Sequence, residues 1–554
     1  MKIRKIRKEK LNMNKNMVIE RTTSGMVRQL SWWDGFLANT GTMNLFWIAY
    51  SFMWAIGLFP GSSLIGAFFV MAILLIPHIL LYTQFAAAMP RSGGDYVFNS
   101  RTLNPSIGFA VNFSMVVWNM FWMGFTAYQF ATAGVATTAS LLGNLFSNTA
   151  LINFGGSIAT SPILALVIGA FTIILVGALA LWGNKPFFRT MTIVFIVGLL
   201  GVVVMIFVLL MSNNQTFMDV FNKYALASTN TPNYFDAVMK NAADTFGFVS
   251  SSANFFSLPT LIVLMFAFQP LGFCVWSSYL SGEIKNANSA KVHAWSMVGS
   301  LLFTGISLAV IGALLIRVLG YNFLGAAGLN YANFADIGGG MINNAYFYVA
   351  LLAKSPIIQL IIGLSLMAWT FLYVQPSLAM VSRCFFAWSI DGLAPKVLKH
   401  VSRRSHVPDV SIIVACVIAI AFLARFCWPG QIFSIYGSNA FIGGGTITFM
   451  VVAISAIIFP FSKKTKRLYE LSPAQWKIGK FPLMSLFGII SLIVMAVITF
   501  LFLWRAEMFV WTVPSMTFLV LVYVLGFVWY FAAVGINKAK GVDTNKVLGE
   551  IPQD

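Results

Sequence analysis

Gln269, Pro270, Leu271 and Gly272 sit in the middle of an apolar run, Pro259 to Leu280, that is long enough to cross a bilayer. Proline lacks an N–H and clashes with the preceding turn, and glycine favours leaving a helix. These residue types at this spacing therefore predict a helix interrupted at mid-membrane. The backbone groups freed by the break find no water in hydrocarbon, so the break must face protein or a cavity. The chemistry on offer is binding rather than bond-making. Unpaired N–H groups at the positive end of a half-helix suit a carboxylate, and carbonyls at the other kind of end suit an ammonium. A zwitterion matches both. Gln269 would be costly in lipid and is expected to face the cavity, where it contacts either substrate or a loose backbone group.

Groups able to make or break bonds are scarce. His78 is the only ionisable side chain well inside a predicted span. Such a residue is a functional candidate, because a charge at the bilayer centre costs about 2.5–3.5 kcal/mol on insertion scales. It has two readings, a proton relay or a structural hydrogen-bonding residue that caps carbonyls exposed by Pro77. Intramembrane hydrolases and metalloenzymes need clustered His, Asp or Glu, and His78 has no visible partner, so we expect no enzyme, no metal and no cofactor. Cys274, Cys384, Cys416 and Cys427 lie in or near apolar runs, and their spacing fits neither a metal motif nor a disulfide framework. Asn214-Gln215-Thr216 is a glycosylation sequon on an expected outer loop, a pattern that also arises by chance.

The elements that would carry these residues are set by composition. Of 554 residues, 59% are hydrophobic and only 9% charged, with a mean hydropathy of +0.83; soluble proteins carry about a quarter charged residues. The chain is read as an all-α integral membrane protein with about twelve transmembrane helices. They fall near 35–58, 63–88, 106–138, 162–184, 190–211, 259–281, 292–318, 356–388, 410–428, 431–459, 482–504 and 510–534. The formal net charge of +19 could suggest nucleic acid, but its distribution argues otherwise. With a cytoplasmic start, every Lys and Arg except Lys223, Lys240, Arg317, Lys354, Arg425 and Arg505 falls on the inner side, which is the positive-inside bias. The expectation is a multi-pass cell-membrane protein with both termini cytoplasmic, lipid for a neighbour and no nucleic-acid partner. The cluster Lys2 to Lys10 reads as a topogenic tail or as a contact for anionic lipid. No cleavable signal peptide is visible. Two long outer loops, 212–258 and 319–355, pack over an entrance or form partial helices, or are tolerated surface insertions.

Three motifs at predicted cytoplasmic helix ends carry a resemblance. They are Pro90-Arg91-Ser92-Gly93-Gly94-Asp95-Tyr96, Gly282-Glu283-Ile284-Lys285-Asn286, and the run from Ser382-Arg383 through Phe386-Ala387 and Asp391-Gly392 to Pro395. In this order and spacing the chain resembles the amino acid-polyamine-organocation superfamily, from about Ser31 to Pro460. The resemblance implies a five-plus-five inverted repeat with discontinuous helices 1 and 6. The division is a basic tail at 1–30, a core at 31–460 with repeats near 31–211 and 259–460, two further spans in 461–534, and a cytoplasmic tail at 535–554. It also implies alternating access around a substrate held between the unwound middles of spans 1 and 6.

Carried over residue by residue, the family's Gly-x-Gly of span 1 falls on Leu45-Phe46-Trp47, where small residues are missing. The nearest stretch suited to unwinding is Asn39 to Asn44, which nominates Thr40, Gly41, Thr42 and Asn44. In span 6 the nominated residues are Phe268, Gln269, Leu271, Gly272 and Phe273, and the acid that often follows that Phe is Cys274. Phe46, Trp47, Phe268 and Phe273 line the site or pack helices. Trp118, Asn119, Trp122 and Tyr128 share a face of span 3 that reads as interhelical packing. For coupling, the span 5 lysine of some proton-coupled relatives is Gly198, and the acid near the inner end of span 2 is Gln84. That leaves His78, and hence a co-transported proton; the alternative is Ser377 holding sodium with span 1 carbonyls. Glu283, Lys285, Arg383 and Asp391 form ion pairs that switch during the cycle or simply solvate helix ends. With no membrane carboxylate for a second ammonium, the expected cargo is a neutral amino acid. An amine, a nucleobase or another small organic solute, and a transporter-like nutrient sensor, remain as alternatives.

Overall fold

The computed structural model describes residues 26–330, 334, 337, 341–428, 432–542, 544 and 548; the basic cluster Lys2 to Lys10 lies outside them. Among the described residues, eleven helices are long and apolar enough to cross a membrane. They are Leu64–Ala88, Pro105–Leu145, Pro162–Trp182, Asn184–Leu210, Leu258–Tyr279, Ala290–Leu319, Pro356–Ile390, Asp409–Cys427, Tyr436–Ile458, Leu483–Trp504 and Val513–Ala539. We number them spans 2 to 12. Span 1 makes the twelfth crossing in three pieces, Trp32–Met43, Leu45–Ala49 and Ser51–Leu58, none of them long enough to cross alone.

Local chemistry marks the ends. Ser31 caps span 1 reciprocally with Asp34, and spans 3, 4, 8 and 12 open with proline in the first helical turn, where its missing N–H costs nothing. Burial then sorts the helices. The apolar windows of spans 3 and 6 are 83% buried, against 33% for span 5 and 22% for span 12. Spans 3 and 6 are therefore the centre, while spans 5 and 12 show Phe207, Ile196, Val528 and Phe531 to lipid. Span 12 runs through Ala539, so the helix extends five residues into the stretch read as tail from residue 535.

The two halves repeat with opposite sense. Span 2 is followed by a short helix, Asp95–Thr102, and span 7 by Tyr321–Leu329 and Ala345–Leu352 on the other face. The long loops are partial helices rather than loose insertions. Asn214–Thr229 and Tyr234–Phe246 stack Phe217, Phe221 and Phe235 on Phe323 and Tyr348 of the helices after span 7. Spans 3 and 10 each contain a π-helical turn, Phe130–Val135 and Ile442–Thr446, a distortion frequent at functional sites. In span 10 the turn includes Gly443 and Gly444, whose missing side chains admit Trp118 of span 3.

Candidate functional site

Span 1 breaks later than its sequence suggests. The helix holds through Met43, so Thr40, Gly41 and Thr42 are helical, and the chain leaves it at Asn44, where φ is 59°. This corrects the expected break over Asn39 to Asn44. Gly41 serves packing, since a Cβ there would lie 3.0 Å from the Pro376 ring of span 8. Asn44 does the unwinding, because asparagine tolerates positive φ and carries its own hydrogen-bonding groups. Its Oδ1 accepts from the Phe46 N–H at 2.7 Å, and its Nδ2 donates to the carbonyls of Gly41 at 2.9 Å and Trp369 at 2.8 Å. Leu45-Phe46-Trp47 thus turns into a 3₁₀ helix, Leu45–Ala49, without glycine. The Leu45 carbonyl accepts from the Tyr346 hydroxyl at 3.0 Å.

Span 6 breaks where proline and glycine indicate, with one adjustment. Leu264–Leu271 continues through Pro270 and stops before Gly272, then the chain is irregular to Val275 and forms a 3₁₀ turn over Trp276–Tyr279. The two breaks are tied together by span 1 side chains. Asn39 Oδ1 accepts from the Ser277 N–H at 2.7 Å, Asn39 Nδ2 donates to Ser277 Oγ at 3.2 Å, and the Thr42 hydroxyl reaches the Phe273 carbonyl at 3.3 Å. Asn39 was not nominated, because a mid-helix asparagine reads as local backbone satisfaction until its distant partner is known.

Around the breaks, aromatic rings from spans 1, 3, 6 and 10 meet at Phe441. Its ring centroid lies 6.1 Å from Trp47, 4.8 Å from Trp122 and 6.1 Å from Phe273, which in turn is 5.4 Å from Trp276. Phe268 stands 5.9 Å from Phe273, and Leu271 is fully buried. Gln269 is buried and makes no hydrogen bond among the described residues. Thr40 Oγ1, Ser377 Oγ, both amide atoms of Gln375, and the indole N–H groups of Trp47 and Trp276 are likewise buried without protein partners. Buried polar atoms are normally paired, so several orphans near two broken helices are what a polar ligand would satisfy. Trp118, whose indole N–H is likewise unpartnered, packs on Phe518, Tyr128 packs on Phe426, and Asn119 bonds the Met115 carbonyl of its own helix at 3.2 Å. His78 Nδ1 lies 2.8 Å from Ser491 Oγ of span 11, with its ring against Tyr82 and Phe449.

The face on which span 1 begins is fastened by two buried ion pairs. Arg383 Nε and Nη2 donate to Glu283 Oε1 at 2.8 Å and Oε2 at 3.0 Å, and Nη2 also reaches Asn184 Oδ1 at 2.9 Å. Arg101 holds Asp391 through two bonds of 2.7 and 2.9 Å, joined by the Tyr96 hydroxyl at 2.7 Å. Three of the four motif residues are therefore inside these pairs. Lys285 is exposed, and only its backbone engages, donating to Leu30 O at 2.8 Å. Arg101 and Asn184 were missed, because sequence separations of 290 and 199 residues leave no local signal.

The geometry brings buried, unpartnered polar groups together at two broken helices and places two buried ion pairs on one face; among the described residues no metal-binding cluster exists. No curated protein matches this chain. The family model described as amino acid permease matches residues 30–527, so the chain belongs to the amino acid permease family, a family of transporters and not of enzymes.

Proposed function

We propose that the protein carries neutral amino acids across the cell membrane by alternating access, as a secondary active permease driven by protons. The observation that supports this best is the meeting of the two broken spans, where Asn39 and Thr42 brace the unwound backbone of span 6 beside unpaired polar groups. An amino acid's two charged ends suit such half-helix ends. No carboxylate is among the residues named around the breaks, which favours one ammonium over two. Thr40, Gly41, Thr42, Asn44, Phe268, Gln269, Leu271, Gly272 and Phe273 are the proposed substrate-contacting set, joined by Gln375 and Phe441. The positive-inside distribution supports a cytoplasmic N-terminal face. Cysteine probes at Lys8 and Lys540 should then be protected in sealed right-side-out vesicles while one at Asn230 reacts; external labelling of both terminal probes would refute that orientation.

Uptake of neutral amino acids into proteoliposomes under an imposed pH or sodium gradient tests the function. Proton-driven uptake is the expected result. His78→Gln should then lower it by roughly 10²-fold if the histidine carries the proton, on the scale of a lost positioned proton carrier. Uptake surviving that change would make His78 a structural link to Ser491. Sodium-driven uptake would reject proton coupling and promote the unpartnered Ser377 hydroxyl as the ion site.

A further inference from the structure

We propose that Asp95 is a proton-binding site of the inner gate, which takes up a proton when the gate closes and releases it to the cytoplasm when the gate opens. This rests on the cytoplasmic assignment of the N-terminal face. Asp95 begins the short helix between spans 2 and 3 and has no exposed surface. One carboxyl oxygen accepts from Asn112 Nδ2 of span 3 at 2.9 Å, and the other has no partner of good geometry. The Tyr279 hydroxyl, itself without another hydrogen-bond partner, also acts on this carboxyl.

Among the described residues no cation compensates this carboxyl. The titratable groups facing it are Tyr82 from span 2, Tyr279 from span 6 and Cys384 from span 8, all neutral in the physiological range. Span 10, packed against the same helix, offers Ser455 to Asn99 and brings no titratable group. Arg101 is committed to Asp391, and Arg91 in the preceding turn is not among the groups acting on Asp95. Burial dominates over the hydrogen bonds from Tyr279, Asn112 and the backbone N–H groups, and pushes the acid up to about 7. Hydrated by an open gate, it would return to the ordinary carboxylate range near 4.

The sign follows. The closed gate has the higher affinity for the proton, so between about pH 4 and pH 7 it holds a proton that the open gate gives up. Acid favours closure, and this preference is lost as pH rises through 7. The charge is well placed to act on the gate, because the next residue, Tyr96, and Arg101 on the same helix both hold Asp391.

The test is amino acid exchange in proteoliposomes with internal pH varied and external pH fixed. Between about pH 8 and about pH 6, wild-type exchange should fall by on the order of tenfold, the ratio expected for a group titrating near 7 in one state only. Asp95→Asn should be slow and flat across this range, with ligand-induced thermal stabilisation unchanged. A wild-type slope retained in Asp95→Asn, or no slope in the wild type, overturns the proposal. Ser281→Cys, buried two residues before Glu283, gives a second readout that needs neither the Asp95 variant nor a transported substrate. Its labelling above that of the parent protein should slow by the same factor on acidification; a pH-independent rate overturns the proposal. Absent exchange at every pH with intact pH-dependent labelling would instead count against the substrate assignment.

Discussion

Arg383→Ala is expected to cost about 3–5 kcal/mol of closed-state stability, because it strands the Glu283 carboxylate where no surface is exposed. The half-buried surface pair Arg505–Glu507, with side chains 27% and 34% accessible, should contribute no more than about 1 kcal/mol when broken. Part of the larger cost is relieved by opening the gate and hydrating Glu283, so the variant should favour the inward-open form as well as melt earlier. Ser281→Cys labelling, combined with a melting curve, reads both effects. Arg383→Met with Glu283→Leu should recover most of the loss, since replacing a whole buried pair by apolar groups is often neutral. Normal melting and labelling for Arg383→Ala would mean that the pair does not fasten this face.

Which residues matter was more legible in the sequence than which residues touch. The proline and glycine at 270 and 272 report a backbone property of their own positions, so the span 6 break is placed to within a residue. Span 1 misled because Gly41 resembles a helix breaker, although it sits within the helix against the Pro376 ring, which a Cβ would approach to 3.0 Å. The actual breaker, Asn44, depends on a carbonyl 325 residues away. The motif acids and bases at 283, 383 and 391 stood out by type, yet Arg101 and Asn184 complete their networks from elsewhere in the chain. Asp95 lay inside a motif and outside the spans. Its burial, which is what makes it unusual, comes from spans 2, 3, 6 and 8 closing around it, and no local pattern encodes that.

Gly272→Ala should abolish ligand binding while leaving a folded, membrane-inserted protein. A methyl group at this position would run into the Phe268 ring. That ring has no exposed surface and lies between Phe273 at 5.9 Å and Phe449 at 6.4 Å, so it has little room to yield. Overpacking of this kind costs about 1–3 kcal/mol. The helical preference of alanine, about 1 kcal/mol over glycine, also draws the chain toward another helical turn. Another turn would pull the Phe273 carbonyl from Thr42 and the Ser277 N–H from Asn39, the two contacts that hold the breaks together. A ligand at a hundred times its dissociation constant stabilises by about 2.7 kcal/mol, and the variant should lose that increment in a thermal-shift assay. Gly156→Ala, in the peripheral helix Thr149–Thr160 with open space beside it, is the control and should bind normally with stability raised by roughly 0.5–1 kcal/mol. If Gly272→Ala binds as wild type does, the break in span 6 is not where the ligand sits, because no binding mode that uses its freed backbone survives a helix continued beyond residue 272 through residues 273–275.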